Sequence, residues 1–269
     1  MAFDTFAFPA RLPTYNSTFM YPVLFDIRGF EVTSFGAMLA VAALVGIWIF
    51  RRELRRSGMP ESAVDAALAG VLGGVVGAKL LWVVEHLGSD DWTALLFSRG
   101  GLSWFGGFVG GVLAGMIVMR RQRLSILGTI AAATPALAIG HAIGRIGCLL
   151  VGDDYGTPSD LPWAVAFPEG LPPTDVRVHP TMVYEAIALL PIAAVLLWMR
   201  RRQVVDRSVV GAYLVMTALV RFLIQWIRVY EPFAGPFGFA HIAALLVMAF
   251  GLYLLLTPPP PAAQPRGRR

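Results

Sequence analysis

Seven long apolar segments constrain this chain more than any other feature of its sequence. They cover roughly residues 33–50, 62–86, 101–119, 126–147, 179–199, 208–228 and 237–256. Each is close to the ~20 residues that a helix needs to cross a bilayer. Hydrophobic residues make up 57% of the chain and charged residues only 14%. A water-soluble globule could not bury so much apolar surface. The sequence therefore predicts an all-α polytopic membrane protein with about seven transmembrane helices.

Basic residues alternate between the predicted loops and predict an orientation. Every second loop and the C-terminal tail are rich in arginine: Arg51, Arg52, Arg55, Arg56, Arg120, Arg121, Arg123, Arg200, Arg201, Arg202, Arg207, Arg266, Arg268 and Arg269. The other loops and the N-terminal stretch contain only Arg11, Arg28, Arg99 and Arg177. The positive-inside rule then predicts that the N-terminus lies outside and the C-terminus in the cytoplasm. Because the arginine runs are short and adjoin membrane ends, we interpret them as topology signals and expect no nucleic-acid partner.

One membrane domain is expected over residues 1–256, followed by a Pro/Arg-rich cytoplasmic tail over 257–269. The first 32 residues lack the basic stretch and apolar run of a cleavable signal peptide. Residues 148–178 form a long extracytoplasmic loop with five prolines, and loops of that length are often functional. The single cysteine, Cys148, excludes an intrachain disulfide and a multi-cysteine zinc site.

Four basic residues fall inside the predicted spans: Lys79, Arg145, Arg221 and Arg228. Ionisable groups in a span are costly and usually face a cavity or a partner. Guanidinium groups bind phosphate in a bidentate manner and stay charged, so these residues predict a cationic pocket for a phospholipid head group at the outer leaflet. The alternative is that the long side chains extend to the interface. Glu185 is the expected counter-ion of a buried arginine.

The densest polar signal runs from His141 to Gly156, across the predicted outer end of the fourth span. His141 and Arg145 are four residues apart and share one face of a regular helix. We expect Asp153 or Asp154 to orient Arg145 or to bind a head-group hydroxyl.

Glycines cluster on the second and third spans, among them Gly106 and Gly107. Small residues at this spacing allow helix backbones to approach closely. We interpret them as packing positions, and the alternative is a smooth wall for an acyl chain.

Several motifs occur in an order that is typical of one family. They are Gly77-Ala78-Lys79, Gly101 to Gly107, Gly144-Arg145-Ile146-Gly147 through Gly156, Pro162-Trp163-Ala164 to Phe167-Pro168, His179-Pro180 to Tyr184-Glu185-Ala186, and Arg221-Phe222 to Arg228. With these motifs, residues 20–256 resemble the bacterial prolipoprotein diacylglyceryl transferases. The resemblance implies transfer of the diacylglyceryl group from phosphatidylglycerol to the lipobox cysteine thiol of a prolipoprotein, with release of glycerol phosphate. It also implies the inner membrane as location, prolipoprotein signal peptides and the lipid bilayer as partners, and neither a cofactor nor a metal.

The resemblance extends to site residues. It implies that Arg145 and Arg221, which match the family's two essential arginines, are catalytic. His141, where many relatives carry Gln, is our own hypothesis for a replacement base in the catalytic group, and the alternative is a histidine satisfied by a neighbouring helix. Head-group binding is assigned to Gly156, Asp153, Arg228 and Lys79. Structural support is assigned to His179, Tyr184, Glu185, Gly106 and Gly107.

The chain departs from the usual family pattern at three polar positions. Phe105, Phe35 and Gln225 stand where relatives usually carry His, Tyr and Glu, and each change removes a titratable group. Cys148, in place of a usual Asn, is interpreted as an apolar filler, with a covalent lipid intermediate as the alternative. Two other functions therefore stay open: a diverged member with another acceptor, and a catalytically weakened lipid-binding membrane protein.

Overall fold

The computed structural model describes residues 20–27, 30–87, 92–97, 102–229 and 235–257. In this part of the chain the helices are α1 Ser34–Arg56, α2 Ala63–Glu85, α3 Trp92–Phe97, α4 Trp104–Arg121, α5 Ile126–Val151, α6 Thr181–Arg201, α7 Asp206–Gln225 and α8 Phe239–Leu256. The strands are β1 Val23–Ile27, β2 Phe30–Thr33, β3 Val165–Phe167 and β4 Thr174–Val178. They form two antiparallel pairs, β1–β2 and β3–β4. The predicted tail from Pro258 onward, and Arg11, Arg28 and Arg99, lie outside the described residues.

The protein is mostly helical and is a multi-pass membrane protein. Among the described residues, seven long helices match the seven apolar segments to within six residues at each end. Six of these are long and apolar enough to cross a membrane: α1, α2, α5, α6, α7 and α8. The prediction of a purely helical chain was wrong for the two small sheets. Their strands are short, three to five residues, and too brief for a periodic pattern to distinguish them from loop.

Three boundaries differ from the prediction at the end of the molecule that carries the long loop. Helix α5 continues through Cys148 to Val151, and Gly152 ends it in the left-handed conformation with φ 69°, which glycine adopts without steric cost. The long loop thus begins at Gly152. Helix α7 ends at Gln225, so Arg228 lies beyond the helix, where it forms a backbone bridge with Gly156.

Helices α2 and α4 pack on each other through a glycine seam. A Cβ on Gly73 would stand 2.7 Å from the carbonyl oxygen of Gly110, and one on Gly77 would overlap the carbonyl oxygen of Gly106. Gly107 is also in the seam, with its Cβ position 3.4 Å from the Ala78 side chain. These glycines thus lie where the two helix backbones approach closely, and the supporting role assigned to Gly106 and Gly107 stays a prediction.

The core of the other helices lies in two apolar clusters. Helices α5, α6 and α7 share one that includes Ala138, Leu189 and Val209. The second joins α1 and α2 to α5 and contains Phe50, Leu54, Ala63, Val64, Ala132 and Ala136. Burial of this apolar surface holds the helices side by side.

The arginine-rich helix ends meet at one end of the molecule. Arg200 at the end of α6 donates to Asp206 of α7 at 2.7 Å and to Ser57 after α1 at 2.7 Å, with Glu53 of α1 at 3.8 Å. Arg200 is buried, with a side chain 7% exposed. This arginine therefore ties three helices together, a role that the charge pattern did not predict. At the opposite end of the molecule, the long loop is joined to the segment after α7, where the Thr157 amide donates to the Ile227 carbonyl at 2.8 Å.

Candidate functional site

The site is built around Arg145, which lies in the last two turns of α5. Its Nε forms an ion pair with Glu185 of α6, and its Nη1 donates to Asp154 at 2.7 Å. The Arg145 side chain is only 14% exposed. Two acidic residues from two elements thus hold this guanidinium group at the loop-bearing end of the helices.

Glu185 is the buried centre of the site, with a side chain 3% exposed. One carboxylate oxygen pairs with Arg145, and the other accepts a hydrogen bond from Nη1 of Arg221 on α7 at 3.2 Å. A charge at this depth is costly unless it is paired, and here two arginines pair with it. Glu185 thus lies between two arginines, and the supporting role assigned to it stays a prediction.

Asp154 is the second acid of the site, in the turn after α5. Its two carboxylate oxygens accept from Arg145 and from Arg228, and its carbonyl oxygen accepts from the Thr181 hydroxyl at 2.5 Å. Burial raises the pKa of the Asp154 carboxyl, but the hydrogen bonds and charges of the two arginines outweigh burial and lower it to about 2. The carboxylate is therefore charged at any physiological pH.

These five residues, Arg145, Arg221, Arg228, Glu185 and Asp154, form what we call the arginine cluster. Three positive and two negative charges leave it with one net positive charge. The cluster also has hydrogen-bond donors that are not used within it. In the described part of the chain, Nη1 of Arg228 is buried without a hydrogen-bond partner. The Arg221 side chain is 35% exposed. A cluster of guanidinium donors with excess positive charge is suited to bind a phosphate group.

An apolar groove of about 290 Å³ opens between α5 and α6 beside the cluster. Its walls include Ile139, Ile146, Met182 and Ile187, and Arg145 also lines it. The groove thus has apolar walls next to a cationic group. This arrangement is complementary to a phospholipid, whose acyl chains are apolar and whose phosphate is negatively charged.

Asp153 lies next to the cluster without joining its ion pairs. It sits by Cys148, and burial raises the pKa of its carboxyl. Of the two acids that the sequence analysis considered, Asp154 is the one that contacts Arg145. Nothing in the local sequence distinguishes two adjacent aspartates, because the direction of each side chain depends on the turn that follows α5.

Cys148 is buried, 9% exposed, in an apolar cluster with Phe167 and Met182 that Phe35 also contacts. Its Sγ is 3.9 Å from Nη1 of Arg145. Its surroundings agree with the interpretation of Cys148 as an apolar filler. Gln225, another departure from the usual family pattern, is buried at the end of α7.

Gly156 is a packing position that aligns the loop with the cluster. A Cβ there would stand 2.8 Å from the Thr181 side chain and 2.9 Å from that of His179. The Gly156 amide donates to the His179 carbonyl at 2.8 Å. This close approach fixes the turn that carries Asp154, so the structure shows a supporting position, and direct head-group binding by Gly156 stays a prediction.

His179 and Tyr184 lie together at the start of α6. The Tyr184 hydroxyl accepts from Trp163 Nε1 at 2.7 Å and stands 3.3 Å from Nδ1 of His179. Trp163 is 56% exposed on the long loop. The three side chains attach this loop to α6 one residue before Glu185, which fits the supporting role predicted for His179 and Tyr184.

Three further positions from the sequence analysis lie on α5, α2 and α4. His141 is exposed on α5, four residues before Arg145. Lys79 lies on α2, with its ammonium 4.7 Å from the centroid of the Trp82 ring. Phe105 is 54% exposed at the start of α4 and contacts Phe239 of α8 edge to face, at 6.4 Å between ring centroids. The proposed roles of His141 and Lys79 stay predictions.

Fold and site together define a multi-pass helical membrane protein with a cationic cluster beside an apolar groove. The model of the prolipoprotein diacylglyceryl transferase family matches residues 22–257. The chain belongs to that family.

Relatives of similar length carry a more specific name. A phosphatidylglycerol–prolipoprotein diacylglyceryl transferase of Clostridium tetani is 28% identical over 78% of this chain and 86% of its own length. The enzyme of the same name from Synechococcus elongatus is 29% identical, covering 86% and 85%. That from Geobacter sulfurreducens is 29% identical, covering 86% and 92%.

Proposed function

We propose that this protein transfers the diacylglyceryl group from phosphatidylglycerol to the lipobox cysteine thiol of prolipoproteins and releases glycerol phosphate. The observation that carries the proposal is the arginine cluster, because a phosphodiester donor needs fixed cations around its phosphate. The family, and the donor and acceptor in the relatives' names, support the same reaction.

The reaction replaces one bond with another at the glyceryl carbon. A sulfur–carbon bond forms to the acceptor cysteine, the carbon–oxygen bond to phosphate breaks, and the phosphate oxygen keeps the electron pair. The thiol proton passes to a base, because the thiolate is the nucleophile. Negative charge grows on the departing phosphate, and cations that are already in place stabilise it in the transition state.

Arg221 is assigned to the phosphate because its guanidinium is the most exposed of the three and has donors beyond its bond to Glu185. Arg145 is assigned to the same group from the side of α5. Glu185 holds both arginines in place, and His141 is the proposed base. The groove beside Arg145 has the apolar walls that an acyl chain needs.

We also propose that the chain crosses the membrane seven times, through α4 in addition to the six helices named above. The membrane is the bacterial inner membrane. In this arrangement the N-terminus and the arginine cluster are on the outer side and the C-terminus is in the cytoplasm. The meeting of the arginine-rich ends of α1, α6 and α7 at one end of the molecule supports this orientation. The cluster then lies where an exported prolipoprotein and outer-leaflet lipid are both present.

The test is direct transfer by the purified full-length protein. The protein in detergent is incubated with phosphatidylglycerol and a lipobox peptide, and mass spectrometry detects a diacylglyceryl group on the peptide cysteine. We expect transfer by the wild type and none by Arg221→Ala. Arg201→Ala is the matched control, because Arg201 is exposed at the other end of the helices.

Two results would refute the proposal. The first is no transfer by the wild type beside an active relative, which would favour another acceptor or a lipid-binding role without catalysis. The second is full activity of a correctly inserted Arg221→Ala, which would remove the phosphate-binding argument.

A further inference from the structure

Asp154 binds two arginines of the cluster with one carboxylate. One oxygen accepts from Nη1 of Arg145 at 2.7 Å, and the other accepts from Nη2 of Arg228. The two guanidinium groups come from different elements, α5 and the segment after α7. A phosphate group has the same requirement for charge-assisted donors from two sides. The carboxylate thus occupies a position that suits a phosphate.

The two acids of the cluster differ in their access to an incoming ligand. The Glu185 side chain is 3% exposed and the Asp154 side chain is 43% exposed. An anion that approaches the arginines from the loop side therefore meets Asp154 and not Glu185. Glu185 is shielded from such an anion, whereas the Asp154 carboxylate lies where the anion can reach it.

The turn around Asp154 is held by contacts that do not involve its carboxylate. Its carbonyl oxygen accepts from Thr181, and the neighbouring Gly156 amide donates to His179. The side chain of an aspartate has only two rotatable torsions and can turn toward water without moving this backbone. Departure of the carboxylate would free donors on Arg145 and Arg228, next to the Nη1 of Arg228 that lacks a hydrogen-bond partner in the described part of the chain.

We propose that Asp154 is a displaceable counter-ion, whose carboxylate occupies the place between Arg145 and Arg228 that the phosphate of the lipid donor takes when it binds. This inference rests on the proposed function for the identity of the ligand. It states that substrate phosphate and Asp154 compete for the same donors. While no phosphate is bound, the Asp154 carboxylate keeps Arg145 and Arg228 paired.

Asp154→Asn tests the competition, because it keeps the size of the side chain and removes its charge. Binding of glycerol phosphate to the purified full-length protein is measured by calorimetry at constant ionic strength. We expect about tenfold tighter binding by the variant, since the phosphate no longer displaces a charge-assisted pair. Asp160→Asn is the control, because Asp160 is exposed on the same loop and outside the cluster; its affinity should equal that of the wild type.

The sign of the change separates this role from a structural one. If Asp154 only held the arginines in position, its loss would weaken phosphate binding or leave it unchanged. A folded Asp154→Asn protein with equal or weaker affinity would therefore overturn the inference. Folding of the variant is checked by circular dichroism before binding is measured.

A measurement on the wild type covers the case in which the variant does not fold. Infrared difference spectra of protein labelled with ¹³C-aspartate are recorded with and without glycerol phosphate. Displacement predicts a shifted aspartate carboxylate band on binding, and an unchanged band overturns the inference. Neither measurement uses the peptide acceptor, so tighter binding without transfer would refute the proposed function alone. Transfer without tighter binding would refute only the role of Asp154.

Discussion

Neutralising Glu185 should destabilise the protein more than any other single change of a carboxylate in the arginine cluster. In Glu185→Gln, Arg145 and Arg221 lose the charge between them while the side chain keeps its size. At the 3.2 Å that separates Arg221 from Glu185, an effective dielectric constant of about 20 gives an attraction of ~5 kcal/mol. Removing one partner of a buried pair typically costs 3–5 kcal/mol.

Water reduces this effect, because the Arg221 side chain is 35% exposed. We therefore expect a loss of about 3 kcal/mol in the free energy of unfolding. The assay is a reversible unfolding titration with SDS in mixed micelles, followed by far-ultraviolet circular dichroism. Adding Arg221→Gln should restore part of the loss, because the second change removes one of the two unpaired cations.

Glu61→Gln is the matched control. Glu61 also pairs with two arginines, Arg51 and Arg55, but at an exposed position, where ion pairs contribute little. Its unfolding curve should coincide with that of the wild type. A loss for Glu185→Gln no larger than that of the control would show that the cluster is solvated, and the argument from its burial would be wrong.

Three further outcomes follow from the structure. Gly77→Val should prevent close packing of α2 on α4, because a side chain there overlaps the Gly106 carbonyl; a thermal unfolding midpoint equal to that of the wild type would contradict it. His141→Gln should slow diacylglyceryl transfer at least about tenfold if His141 is the base, and an unchanged rate would exclude it from that role. Asp154 should add pH-dependent stability: its lowered pKa stabilises the fold above about pH 4, and this contribution is lost as the pH falls toward 2. The loss should be about 1 kcal/mol because the side chain is partly exposed, and acid unfolding of Asp154→Asn should lack it.

The predicted site contained most of the residues that the structure brings together. Arg145, Arg221 and Glu185 were identifiable because a charge inside an apolar segment is rare and needs a partner. Asp154 was one of two adjacent candidates, and Asp153 was the one assigned to the head group. Arg200 was interpreted as a topology signal, yet it is a buried contact between three helices.

The sequence by itself determined the class of protein, the positions of the long helices and the charges that must be paired inside them. These properties depend on local hydropathy and on the cost of moving charge from water into the membrane. Only the tertiary structure decided which charges meet. The pairing of Arg145 with Glu185 and Asp154, and of Arg228 with Asp154, depends on how α5, α6 and α7 rotate against each other and on the turn at Gly152. Those relations involve residues up to 74 positions apart, which no local pattern of one sequence encodes.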